Sequence, residues 1–246
     1  MVICQLRFPP ILRIATELPA SFQEKIRADY PLLNERRDET ALPAGVPPEL
    51  AKMLSEDLPT LLAGDRYFDF ASADRAWITT LNKDFIALTA RQYLAWTDFR
   101  PRLERLATAL REVYAPPFFI RLGLRYRNAI KRDALGLAQV PWRQLLQPHI
   151  AAELSSDVAE VQIRQIVSDV VIGLTDGGQV RIRHGLKRQE DPAKAPYVID
   201  SDFSLADQTE IPNALVRLDN FNHEAGRLFR WCIGEQLHQA MGPTNA

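Results

Sequence analysis

"RLGLRYRNAI", residues 121–130, alternates apolar and basic side chains, and this alternation indicates how the surrounding chain folds. Side chains of a strand point to opposite faces in turn, so the apolar even positions from 118 to 126 predict one buried face. The odd positions place Arg121, Arg125 and Arg127 on the other face. We therefore predict a half-buried β-strand whose second face carries a row of arginines.

The bulk composition is that of an ordinary folded protein. Of the 246 residues, 46% are hydrophobic and 25% are charged, which argues against a disordered or fibrous chain. The 30 Lys and Arg residues nearly balance the 31 Asp and Glu residues, and the formal net charge is −1. Any attraction to nucleic acid or to an anionic membrane must therefore come from local clusters of basic residues.

Cysteine usage and hydropathy predict the cellular setting. Cys4 and Cys232 occupy apolar positions of their segments, so we predict two buried free thiols. No stretch approaches about 18 uninterrupted apolar residues, and the opening "MVICQLRFPP" lacks the basic and apolar regions of a signal peptide. We expect a soluble, cytoplasmic protein that makes no membrane contact.

The N-terminal part of the chain predicts a strand, a helix and a long loop. Val2–Phe8 alternate as a half-buried strand. Ser21 and Glu24 have the spacing of a capping box, and Pro31 ends the helix that they open. Residues 31–64 are rich in charge and proline, so we expect a long surface excursion there.

A group of strands and a second helix follow. Residues 66–91 carry aromatic and β-branched stretches separated by polar triplets, which predicts two or three antiparallel strands. Thr97 or Asp98 is suited to cap the next helix, and Pro101 is tolerated in its first turn. The strand 121–130 then completes this half of the chain.

The C-terminal part predicts further antiparallel strands and a long helix. The Asp-Gly and Gly-Gly steps of 175–178 suit a hairpin turn between two strands. The other predicted elements are a helical segment at 142–150 that Pro148 interrupts, strands within 158–174, 179–187 and 195–203, and a helix over 213–241.

These elements together predict an α+β protein in which antiparallel sheets pack on helices. We expect two architecturally similar halves. Residues 1–135 form the first, with the order strand, helix, strands, helix, strand. Residues 136–246 form the second, with the order helix, strands, long helix.

Two rows of arginines form the first candidate site. Arg121, Arg125 and Arg127 share one strand face, and Arg181 and Arg183 share a face of a later strand. If the sheets join, these side chains form a basic surface able to bind phosphates or other anions. The alternative is that they are the solvated faces of half-buried strands and pair with nearby carboxylates.

Paired carboxylates form the second candidate site. Asp200 and Asp202 alternate onto one face of a predicted strand, where they could hold a divalent metal or act as acid and base. His223 and Glu224 would join them only if the last helix turned that face toward the strand. On a helical wheel His223 lies far from the apolar sector, which favours a solvated histidine. We predict no metal site and no cofactor from sequence spacing alone.

Three motifs occur in order along the chain, namely FQEKIRADYP at 22–31, RLGLRYRNAI at 121–130 and LDNFNHEAGRLFRWCI at 218–233. In this combination the chain resembles a sporadically distributed family of uncharacterised bacterial proteins. The resemblance implies a bacterial source and covers nearly the whole length, but it implies no reaction, cofactor or catalytic residue. Arg127 departs from the aliphatic residue usual inside the family's GLRYxN motif.

From these observations we predict a non-catalytic binding or scaffolding module that engages a protein partner. Nucleic acid is the alternative partner, bound through the arginine-bearing strands. The competing functional hypothesis is a metal-dependent or acid/base hydrolase that uses Asp200, Asp202, His223 and Glu224. The sequence assigns neither an oligomeric state nor the identity of the partner.

Overall fold

The computed structural model describes residues 1–39, 63–156, 163–175, 177–187 and 195–242. Within them the chain forms two units. The N-terminal unit comprises Cys4–Arg121 and Gln208–Ile211. The C-terminal unit comprises Leu122–Asp207, Pro212–Ala246 and Met1–Ile3. This division groups most of the strand 121–130 with the later strands, and the sequence-based division at residue 135 stays a prediction.

Helices and antiparallel strands make up most of the regular structure of the described residues, so the predicted α+β class is confirmed. The strands are β1 (Val2–Arg7), β2 (Leu32–Glu39), β3 (Ala63–Ala71), β4 (Trp77–Asn82), β5 (Phe85–Ala90), β6 (Arg121–Ile130), β7 (Ser168–Gly173), β8 (Gln179–Leu186) and β9 (Tyr197–Leu205). The helices are α1 (Leu12–Thr16), α2 (Ala20–Ile26), α3 (Trp96–Tyr114), α4 (Trp142–Leu145), α5 (Pro148–Ala151), α6 (Ile211–Cys232) and α7 (Glu235–Ala240).

In the N-terminal unit the strand order is β2-β3-β4-β5-β1. The opening strand is therefore confirmed, and the two or three strands predicted for 66–91 are three, of which β3 already begins at Ala63. Helices α2 and α3 supply much of the apolar packing. The Phe22 ring lies 5.7 Å from the Phe70 ring, and the Phe99 ring lies 5.7 Å from the Trp77 ring. All four side chains are buried, which joins the helices to β3 and β4.

Both predicted helix caps in this unit are wrong. Helix α2 begins at Ala20 with Pro19 at its N-cap, so Ser21 lies inside the helix. Helix α3 begins at Trp96, after an extended Ala95 that makes no side-chain cap, and Pro101 lies beyond its first turn. Burial of the apolar side chains of these helices outweighs the modest free energy that a capping hydrogen bond contributes.

The first part of the predicted surface excursion is a strand instead. Residues Leu32–Glu39 form β2, which pairs antiparallel with β3. Its charged side chains find partners across the strands, since Arg36 bonds Asp69 at 2.8 Å and Arg66 bonds Glu35 at 3.0 Å. Cross-strand ion pairs let a sequence without strict apolar alternation form a strand. Residues 40–62 of the predicted excursion lie outside the described residues, and its last two residues, 63 and 64, belong to β3.

In the C-terminal unit the strand order is β6-β9-β8-β7. The turn between β7 and β8 is present as predicted, and Gly177 takes a positive φ of 87° in it. Strand β6 alternates as predicted from Leu122 onward. Upstream of Arg121 the prediction is wrong, because Phe119 is buried while Ile120 is exposed. The regular two-residue period begins only where the strand itself begins.

The predicted helix over 213–241 is two helices. Helix α6 ends at Cys232 and α7 starts at Glu235, with Gly234 between them. The Gly234 amide donates to the Leu145 carbonyl at 2.7 Å, and a Cβ at Gly234 would lie 3.0 Å from the Gln144 oxygen. A side chain here would press on the backbone of α4, so glycine suits the position where the chain turns although its apolar pattern continues.

The core of the C-terminal unit lies between the sheet and the helices α4 to α7. Trp142 and Tyr197 are fully buried, with ring centroids 5.4 Å apart. As predicted, the helical segment is interrupted, and Pro148 opens α5. The other fully or nearly buried members include Leu145, Leu146, Ile150, Leu154, Ile199, Cys232, Ile233 and Leu237. None of the helices within the described residues has the length and apolar character needed to cross a membrane.

Gly185 offers a test of the backbone geometry of this unit. Its φ is 153°, and a Cβ there would lie 1.9 Å from the Ile166 carbonyl oxygen. We expect Gly185→Ala to lower the free energy of unfolding by about 2–4 kcal/mol, measured by urea denaturation, because the backbone of 166–167 must move.

Gly226→Ala is the matched control. This glycine lies in α6 with nothing within 4 Å of the added Cβ. Alanine is the better helix former, so the control should raise the free energy of unfolding by up to about 1 kcal/mol. An unchanged stability for Gly185→Ala would contradict the close approach of the two backbone segments.

Candidate functional site

Strand β9 brings the predicted arginines and aspartates together. It lies between β6 and β8, so Asp200 faces Arg127 on one side and Arg183 on the other. Asp202 in the same way faces Arg125 and Arg181. Directly paired residues share a face of the sheet. We call this set, together with Asp169 of β7, the charge ladder: Arg125, Arg127, Asp169, Arg181, Arg183, Asp200 and Asp202.

Arg125 and Asp200 form the best-defined pair in the ladder. The Arg125 Nε donates to Asp200 Oδ1 at 2.7 Å, and its Nη2 donates to Oδ2 at 2.5 Å. The Asp200 side chain is only 11% exposed, so this bidentate pair compensates a carboxylate that has lost most of its water. The hydrogen bond to Asp200 raises the pKa of Arg125. The guanidinium is thereby held charged and in one orientation.

Asp169 is a ladder member that the sequence analysis missed. The Arg181 Nε donates to Asp169 Oδ1 at 2.8 Å, and the Arg183 Nε lies 3.4 Å from Oδ2. The hydrogen bond from Arg181 is the main reason that the pKa of Asp169 is lowered. The sequence could have predicted this contact, because the predicted hairpin turn sets a strand register in which Asp169 lies opposite Arg183.

The two remaining arginines of β6 behave differently. Arg121 lies in the N-terminal unit and donates to Gln5 Oε1 at 3.2 Å, so it does not belong to the ladder. Arg127 is exposed, and within the described part of the chain its side chain forms no ion pair. Its backbone carbonyl accepts a hydrogen bond from the Met1 amino group, and its backbone amide donates one to the Met1 carbonyl. Of the five predicted arginines, four are therefore brought together.

The structure does not bring His223 and Glu224 to the two aspartates. Helix α6 packs on the opposite face of the sheet, where the Phe221 ring lies 5.9 Å from the ring of Phe203. Phe203 alternates with Asp200 and Asp202 along β9 and so points away from them.

The helix residues have other surroundings. His223 is exposed, and Glu224 accepts a hydrogen bond from Arg227 at 3.1 Å on the surface of α6. The sheet therefore separates the members of the hydrolase constellation. General acid and base groups must reach one substrate through a hydrogen bond or a single water, and this placement does not allow it.

Two neighbouring pockets open on the ladder face. The smaller, of about 210 Å³, is lined by Arg125, Arg181, Arg183, Asp200 and Asp202. The larger, of about 410 Å³, includes Arg127, Arg183 and Asp200 in its lining. Since Arg183 and Asp200 line both, the pockets adjoin, and the ladder runs from one into the other.

The remaining chemistry-bearing groups lie away from this face. Cys4 and Cys232 are buried and free, as predicted, and burial raises the pKa of the Cys232 thiol to about 12. Such thiols are protonated at neutral pH and react poorly. Within the described ranges, no three His, Cys, Asp or Glu side chains are grouped so that they could hold a metal ion.

Comparison with known proteins returned no matching family model, no matching curated protein and no matching solved structure. The resemblance inferred from the three sequence motifs therefore stays a prediction.

The Arg125–Asp200 pair should contribute measurably to stability. We expect Asp200→Asn to lower the free energy of unfolding by about 1–2 kcal/mol, because it leaves a partly buried guanidinium without its counter-charge. Chemical denaturation of the full chain would measure the change.

Glu224→Gln is a suitable control for this measurement. It removes the carboxylate of a helix-surface pair whose Arg227 side chain is 70% exposed. Exposed ion pairs contribute little to stability, so the free energy of unfolding should change by less than about 0.5 kcal/mol. Equal effects of the two substitutions would contradict a special role for the ladder pair.

Proposed function

We propose that the protein is a non-catalytic binding module that engages a protein partner through the charge ladder. The observation that carries this proposal is the set of four arginines and three aspartates on one face of β6, β9, β8 and β7. Arginine is enriched at protein interfaces because its planar group makes several directed hydrogen bonds and stacks on apolar surface.

The ladder arginines are held in place and yet accessible. Their side chains keep exposed fractions of 38% for Arg125, 48% for Arg181 and 49% for Arg183 while they contact Asp200 or Asp169. A side chain that is already ordered loses less conformational entropy when a partner binds. The donors not used by the aspartates remain on the same face and are available to a partner.

The pattern of signs favours a protein partner over nucleic acid. Asp200 and Asp202 lie on the central strand, between the arginines of β6 and those of β8. A phosphate backbone that crossed this face would meet both carboxylates, and like charges across an interface are unfavourable. A protein surface carries both signs and can match the alternation. Four arginines and three aspartates leave only one excess positive charge, which is small for binding a polyanion.

The hydrolase alternative requires Asp200, Asp202, His223 and Glu224 to act on one substrate. The opposite placement of the two pairs across the sheet supports a binding function instead.

We also propose a bacterial, cytoplasmic setting. The motif resemblance suggests the former, and the two free buried cysteines are usual for proteins of a reducing compartment.

Affinity purification of the tagged full chain from its natural cells tests the proposal. We expect a stoichiometric protein to copurify with the unchanged chain and with Arg227→Ala, a variant on the opposite face. The double variant Arg181→Ala, Asp202→Ala should weaken binding of that purified protein at least about ten-fold, because it removes charge from two neighbouring strands.

Two outcomes would overturn the proposal. The first is equal affinity of the identified protein for the double variant and for Arg227→Ala. The second is that labelled single-stranded DNA or RNA binds the chain tightly, loses affinity steeply with salt, and is released when Arg121, Arg125, Arg127, Arg181 and Arg183 are all changed to Ala. That result would assign the arginine rows to nucleic acid.

A further inference from the structure

Strand β7 is the outer strand of the C-terminal unit, and it carries an apolar run that water reaches. It pairs with β8 on one side, and within the described ranges no strand pairs with its other side. Val170, Val171 and Ile172 are 43%, 57% and 38% exposed. An open strand edge with apolar side chains is a template for pairing with another chain.

The sequence of β7 lacks the usual protection of an outer strand. Native sheets guard such strands with proline, with lysine or with other charges. The strand SDVVIG has no proline and no lysine, and its one charged side chain, Asp169, is bonded by Arg181. By contrast β2, the outer strand of the N-terminal unit, carries Glu35, Arg36 and Arg37 in a row. This difference indicates that β7 is an edge suited to pairing.

The hydrogen-bond pattern of β7 decides which backbone groups a new strand would meet. The Ile166 and Leu174 amides both donate to carbonyls on the β8 side, at 3.2 Å and 2.7 Å. In an antiparallel pair every second residue bonds the neighbouring strand, so the even-numbered residues of β7 bond β8. The outward-pointing N–H and C=O groups are therefore those of Asp169, Val171 and Gly173. An extended chain satisfies such a row of donors and acceptors.

A second copy of β7 fits this edge well in one register. With a two-fold axis at Val171, that residue lies opposite itself, and Val170 lies opposite Ile172 of the second copy. Asp169 then lies opposite Gly173 of the second copy, so no carboxylate faces another. An axis at Asp169 would instead oppose two carboxylates, and an axis at Val170 would place Asp169 opposite a valine.

This register also continues the apolar face of the sheet. Within one copy Val170 lies beside Ile182 and Ile172 lies beside Val180, and both β8 residues are only 2% exposed. In the pair of copies, the row from Ile182 through Val170 continues into Ile172 and Val180 of the second copy. The exposed side chains of this face thereby gain apolar neighbours across the strands.

We propose that two copies of this chain associate by pairing β7 with β7, antiparallel, about a two-fold axis at Val171. Each strand contributes six residues, fewer than the roughly 20–30 that each side of a standard interface contributes. The dimer is therefore weak, with a Kd of about 1–100 µM. The protein partner of the charge ladder is not needed for this association, so the two proposals fail independently.

Sedimentation velocity of the unchanged full chain, from about 1 µM to about 1 mM, tests the proposal. We expect the average mass to rise from that of a monomer toward that of a dimer. Val171→Asp and Val171→Arg should each weaken the dimer at least about ten-fold, because like charges then meet at the axis. An equimolar mixture of the two variants should restore the dimer, because the residue at position 171 meets its counterpart of opposite charge.

Val216→Asp is the matched control. Val216 lies on α6 and is 58% exposed, almost the same as Val171, so the substitution should leave the association unchanged. Hydrogen exchange of the unchanged chain provides a second measurement if the charged variants fail to fold. The outward amides of Asp169, Val171 and Gly173 should gain protection as the protein concentration rises.

The proposal is overturned if the unchanged chain stays a monomer up to about 1 mM. A dimer that Val171→Asp weakens no more than Val216→Asp does would also overturn it, because the contact would then lie elsewhere. A chain that stays monomeric and whose Val171→Asp variant loses a copurifying protein would assign this edge to a strand of a different protein.

Discussion

The placement of β9 between β6 and β8 is the constraint on which the C-terminal unit depends. Both edges of β9 are hydrogen-bonded, so its side chains must alternate between two environments. Tyr197, Ile199 and Phe203 enter the core, and Asp200 and Asp202 go to the other face. A shift of one residue in the register of β9 would bury both carboxylates and expose these apolar side chains. Burial of the core therefore decides where the charges lie.

Aspartates in the middle of a sheet lose much of their water and require partners. The neighbouring strand β6 supplies one for Asp200, and the ion pairs of Asp200 and of the more exposed Asp169 also orient the arginines. In the function we propose, the charge ladder would therefore combine a structural role with recognition of a partner. Arginines that a folded sheet already holds in place are prepared for a partner, whereas the same residues on a mobile loop would first have to be ordered.

The larger of the two pockets beside the ladder depends on Gly185 of β8. Gly185 allows the segment at Ile166 to approach the strand, and the adjacent His184 is held by Tyr197 from the core side. A buried polar chain from His184 through Tyr197 to the Ile150 carbonyl is satisfied within the fold. The segment at Ile166, which lines the pocket, is thus positioned by its backbone contact with β8.

Local spacing in the sequence was sufficient to predict the α+β class, the strand at 121–130 with its arginine face, and the alternation of Asp200 and Asp202, because side-chain period is a property of a single strand. Only the tertiary structure decided which strands are neighbours. Arg125 and Asp200 are 75 residues apart, and nothing in either segment specifies the other. The same holds for β2, for the break at Gly234, and for the separation of His223 from the aspartates by the sheet. These features follow from burial and close contact between distant segments, which no local pattern records.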